Sequence, residues 1–181
     1  MERELAEQTL GLCVGSMLHE QWRMGRKTET GEFTPRMKKT NDSKWIAAHG
    51  GATECDIANT TFAELPSEYQ HENLVAGQIA VRLSLQPGLT IEQMASIVHE
   101  EWLKRNGGWA SEEQKQPYAL LPESEKAKDR EQITLALALR EKVLRGEISL
   151  EEEAIRYGLM TAPALTLKKI EGLTTKAVEQ N

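Results

Sequence analysis

The sequence predicts a mainly helical protein assembled from two tandem helix-loop-helix units. Three observations point there. Long stretches carry apolar residues at helical spacing, and the pattern His-Glu-x-Trp occurs twice, at His19 to Trp22 and at His99 to Trp102. Each occurrence is followed by a loop tryptophan, Trp45 or Trp109, and then by a Leu-Pro step, Leu65-Pro66 or Leu121-Pro122. Recurrence of several short motifs in one order is the mark of an internal repeat. The first unit spans 1-87, the second 88-146, and a C-terminal helical tail covers 147-181.

Taken in order, Leu10, Val14, Leu18 and Trp22 make one stripe of a first helix over residues 2 to 24. Gly11 and Gly15 lie close to that stripe, where glycine lowers helix stability and so marks the approach of another backbone or of a ligand. Residues 26 to 63 show almost no periodicity, yet Trp45, Pro35 and the Gly50-Gly51 pair favour a long ordered loop over a disordered one. Pro66 suits the first turn of the next helix, and Ser67 with Gln70 offers an alternative capping-box start. That helix runs to about Leu85, with Ile79, Ala80 and Leu83 inward, and Pro87-Gly88 stops it.

The second unit opens on Thr90, an N-cap with Gln93 three residues on, and Leu89 is placed to staple onto Met94. Ile91, Met94, Ala95, Val98 and Trp102 follow the spacing of a buried face, and Asn106-Gly107-Gly108 ends the helix. Pro122 begins the last long helix, which carries Ile133, Ala136, Leu137, Val143 and Leu144 to a stop at Gly146. Ser149-Leu150-Glu151-Glu152 caps a short helix ending near Tyr157-Gly158.

Bulk properties narrow the function classes. A formal net charge of -6 and a pI near 5.4 over 181 residues argue against a nucleic-acid partner, which requires a basic face. The faint helix-turn-helix pattern after Ile148 has no such face. No apolar run reaches the roughly 18 residues of a membrane span, so no membrane partner is expected. The two cysteines, Cys13 and Cys55, lack metal or disulfide-framework spacing and suit a reducing, cytoplasmic location. His-Glu-x-Trp also lacks the second histidine of a zinc helix, so no metal is expected. The tail is assigned to packing on the core or to a homo-oligomer contact.

With the doubled His-Glu-x-Trp motif, the loop tryptophans and the run Leu121 to Arg130 in hand, the chain resembles the RyR repeat family. The family is named for tandem copies in ryanodine receptors and also occurs in bacterial and phage proteins. The second unit is the closer match, from Ile91 to about Gly146; the first matches at both ends and departs in its longer basic loop. The resemblance implies a cytoplasmic helical module with pseudo-twofold symmetry and an adenine nucleotide in the cleft between the repeats. It implies base stacking by Trp22 and Trp102, a place beside the base for His99, with His19 as its counterpart, and a nucleotide contact for Asn73. A basic loop residue serves the phosphates in that family, and Arg36 is the nearest match. The family's second-repeat arginine has no firm equivalent; Asn106 sits in register and Arg105 is adjacent.

Spacing alone is compatible with two fates for these residues. Trp22 and Trp102 lie on apolar stripes, and such aromatics more often pack than bind. His19 and His99 at the edge of those stripes fit a structural histidine as well as a ligand contact. The reading carried forward is a non-enzymatic module, without a resident cofactor, that binds an adenine-type nucleotide or nucleotide-derived signal. The rivals are a protein-interaction module without small ligand, and a nucleotide-processing enzyme using Glu20 or Glu100. No nucleophile elbow, phosphate loop or dinucleotide-binding glycine pattern supports the last.

Overall fold

The computed structural model describes residues 2–159 and is mainly helical, with six α-helices and one two-stranded sheet among them. Its tightest joint is between α1 (Glu2–Met24) and α3 (Ser67–Ser84). A Cβ built on Gly77 would stand 2.1 Å from the Gly11 carbonyl oxygen, and one on Gly15 would stand 2.5 Å from the Asn73 carbonyl oxygen. Gly11 lies against Gln78 and Gly15 against Asn73, so the two helices run antiparallel. The close approach expected at Gly11 and Gly15 is that of a backbone.

Helices α4 (Ile91–Asn106) and α5 (Glu123–Leu144) complete the bundle, and α5 packs on α1, α3 and α4. Helix α4 begins with the full capping box, Thr90 accepting from the Gln93 amide and Gln93 from the Thr90 amide. One core unites all four: Leu10 and Val14 from α1, Ile79 and Leu83 from α3, Met94 and Val98 from α4, Ile133 and Leu139 from α5. Burying each such side chain contributes roughly 1.5–3 kcal/mol. Helix α6 (Leu150–Arg156), capped by Ser149, closes on α1.

Three details depart from the sequence expectations. Ile91, in the first turn of α4, is 42% exposed, and Leu144, in the last turn of α5, is 67% exposed. The Ser67–Gln70 capping box does not form; Pro66 is the N-cap of α3 and lends no side-chain bond, while Gln70 turns back to the Phe62 and Ala63 carbonyls.

Residues 26 to 63 are ordered, as expected, and contain regular structure that periodicity does not reveal. Strands β1 (Met37–Lys39) and β2 (Glu54–Asp56) pair antiparallel around a short helix α2 (Ser43–Ala48). Polar anchors hold this excursion down. The Asp42 carboxylate accepts from the Lys44 and Trp45 amides at the start of α2 and from the Ser67 amide at the start of α3, and these bonds hold it down at about 2. From α1, buried Arg23 donates Nε to the Ala58 carbonyl, and Glu20 accepts from the Phe62 amide. No described helix is long and apolar enough to cross a membrane. The tail expected to pack or to join subunits lies, beyond Leu159, outside the described residues.

Candidate functional site

The two histidines are held alike. His19 Nε2 donates to the Thr60 carbonyl and His99 Nε2 to the Gln116 carbonyl, each at 2.9 Å. In both places the accepting residue lies two before a buried ring, Phe62 or Tyr118, that opens a 3₁₀ turn leading into the Leu-Pro step. Each imidazole also stacks on the tryptophan of its own motif, His19 on Trp22 at 5.9 Å and His99 on Trp102 at 6.4 Å. Both rings are therefore oriented by the backbone: a carbonyl can only accept, so Nε2 carries the hydrogen and the ring is fixed. Burial pushes the His19 imidazole below its ordinary value.

The surroundings of the two tryptophans differ. Trp22 is 39% exposed, with the Arg26 guanidinium 5.3 Å from its ring centre. Trp102 lines an open pocket of about 220 Å³ together with His99, Gln114, Glu125, Lys128, Asp129 and Gln132. Helix α4 supplies the first two, the loop after it Gln114, and one face of α5 the rest. Lys128 is ion-paired with Glu125, to which Gln114 also donates, so the wall opposite the indole is polar and close to balanced in charge.

At the floor, Asp129 Oδ2 stands 3.5 Å from His99 Nδ1. Desolvation pushes the Asp129 carboxyl up to about 6; the neighbouring His99 works against that rise and Glu125 adds to it. The sequence reading missed Asp129. Its signal was present, since Asp129 follows Leu121 at the same distance as Asn73 follows Leu65. Asn73 itself donates to the Tyr69 carbonyl within α3.

The remaining candidates gather at the seam where α3 meets the end of α4. Arg105 and buried Asn106 both donate to the Glu72 carboxylate, at 3.2 Å and 3.1 Å. Next to that seam Trp109, 64% exposed, meets Trp102 edge-on at 5.5 Å, and Lys38 of β1 places its ammonium 5.5 Å from the Trp109 ring centre. Arg36, two residues before Lys38, has its amide bonded to Asp56 and its side chain exposed. Trp45 stands apart, stacked on His49 at 3.8 Å with its indole N–H on the Glu64 carbonyl. Among the described residues no group of His, Cys, Asp and Glu is arranged to hold a metal ion. Glu20 uses both carboxylate oxygens on Phe62 and Arg23, and Glu100 is exposed.

None of the family models, curated proteins or solved structures compared with this chain matches it. The functional reading therefore rests on the geometry of the Trp102 pocket and its borders.

Proposed function

We propose that this chain is a non-enzymatic module of RyR-like repeats that holds an adenine-type nucleotide or nucleotide-derived signal. The base stacks on Trp102, its edge meets Gln114, Gln132 and Asp129, and the phosphates run past Trp109 toward Lys38 and Lys39 of the first loop. The observation that carries this reading is the pocket itself: an indole and hydrogen-bonding side chains line it together, and Trp102 meets a second, exposed indole that a lysine from the other half of the chain approaches. Stacking one base on one aromatic ring is worth roughly 1 to 3 kcal/mol. Added to a few polar contacts, that is enough for micromolar binding, about -8 kcal/mol. The matching histidine anchors and His-Trp stacks support the repeat relationship.

Titration of ATP, ADP-ribose and cyclic AMP against tryptophan fluorescence tests the proposal. At least one should quench Trp102 with micromolar affinity, and Trp102→Ala should weaken it on the order of tenfold or more while leaving the helical circular dichroism intact. Absence of binding by all three below millimolar concentration rejects the proposal.

A further inference from the structure

The floor of the Trp102 pocket joins a buried carboxylate to a histidine whose hydrogen-bonding state is already decided. His99 Nε2 is committed as a donor to the Gln116 carbonyl, so Nδ1 carries a second hydrogen only when the ring is cationic. Nδ1 faces Asp129 Oδ2 at 3.5 Å. With no proton between them, a nitrogen lone pair would confront a carboxylate in a site where Asp129 is 8% exposed. Desolvation raises the Asp129 carboxyl to about 6, and the neighbouring His99 opposes that rise.

The other ionisable groups at this place are Glu125 and Lys128, both on α5 and paired with each other, while the loop contributes neutral Gln114. Among the described residues no side chain or amide donates a hydrogen bond to Asp129, and it lines the open pocket. A buried acceptor in that position rewards a ligand that brings a donor and penalises one that brings a lone pair.

We propose that Asp129, standing beside His99 with no donor of its own, is the specificity-determining residue of the pocket and selects planar heterocycles that present an amino group, as an aminopurine does, over those that present a carbonyl there. This rests on the nucleotide reading above. Ionised Asp129 accepts from the exocyclic amine; a keto oxygen in the same place meets a carboxylate. As the pH falls through about 6 the carboxyl gains its own proton, becomes a donor, and the discrimination fades. The charge of the phosphates does not alter this comparison, since two nucleotides differing in the base alone carry the same tail.

ATP and inosine triphosphate supply that pair of probes. Binding of each to the full chain is measured by calorimetry at pH 7.5 and pH 5, for the native protein and for Asp129→Asn. The expected result is a preference for ATP on the order of tenfold at pH 7.5, falling toward parity at pH 5 and in Asp129→Asn at both pH values. Equal affinity of the native protein for the two at pH 7.5 overturns the selection by Asp129 and leaves the nucleotide reading standing. Failure of both to bind overturns the two together. Independently of any ligand, nitrogen NMR of labelled histidine should find His99 with a protonated Nε2; the Nδ1–H tautomer in the native protein overturns the argument that Nδ1 brings Asp129 no donor.

Discussion

Replacing Gly77 with alanine should force α1 and α3 apart. The new methyl would sit 2.1 Å from the Gly11 carbonyl oxygen and 2.7 Å from the Gly15 amide nitrogen. Both are backbone atoms of a helix, so no rotamer change relieves the contact. Restoring an ordinary separation of about 3.5 Å from 2.1 Å requires a local shift of about 1.4 Å, enough to forfeit about half or more of the dispersion energy of the atoms along the seam. Overpacking of this kind costs up to about 3 kcal/mol, and the better helix propensity of alanine returns about 1 kcal/mol. The net loss of about 2 kcal/mol corresponds to a fall of about 4–8 °C in Tm for a chain of this size. Gly108→Ala is the control: its Cβ would meet nothing within 4 Å, and its backbone is not left-handed. Urea and thermal unfolding followed by circular dichroism measure both. If Gly77→Ala melts at or above the native temperature while Gly108→Ala is neutral, the argument from close backbone approach is refuted.

Asp129→Asn should change stability with a definite sign. The carboxyl rises from 3.8 to about 6 on folding, so the folded chain holds this proton more tightly, and stability through this group falls as pH rises from about 4 to 6. The variant should gain on the native protein across that interval, by on the order of 2 kcal/mol at pH 7. Paired urea titrations between pH 4 and 8 check it, and a difference that shrinks with rising pH contradicts it. Asp42→Ala should loosen the first loop, seen as faster amide exchange at Lys44, Trp45 and Ser67; unchanged protection there would count against the double cap. Because the Asp42 carboxyl is held down at about 2, its contribution in the native protein is complete above about pH 4 and is lost as pH falls toward 2. Trp45 fluorescence followed over that range reports the loss.

The long helices were legible because each carries apolar residues at helical spacing and ends on residues with a local mechanism, such as Thr90 with Gln93 or Pro87-Gly88. The glycines of α1 announced a close approach, whereas nothing in the sequence around Gly77 singled out the other party. The strands were hidden for a physical reason. Three residues are too few to show alternation, and β1 and β2 are held in part by side-chain bonds that no local pattern announces: Asp56 of β2 accepts from the Arg36 amide, and Tyr69 of α3 donates to the Lys39 carbonyl. At the site, Trp102 and His99 were readable from the repeated motif. Lys38 was legible only as one of the basic run Arg36, Lys38 and Lys39, since which of them meets Trp109 depends on the path of the loop; Asp129 shares its spacing with Asn73, but its place beside His99 depends on the fold.

The last turns of α1 act as a peg over which the first loop is threaded. His19, Glu20 and Arg23 reach Thr60, Phe62 and Ala58, and the Arg23 guanidinium also lies 4.8 Å from the Phe33 ring centre. A chain trimmed here to the shorter connection that follows α4 would lose the Ala58 carbonyl and the Phe33 ring that the Arg23 guanidinium meets. Such a deletion would cost far more than the modest entropy saved by a shorter linker. The excursion is therefore not a dispensable insertion on a helical frame but one of the things the frame is folded around.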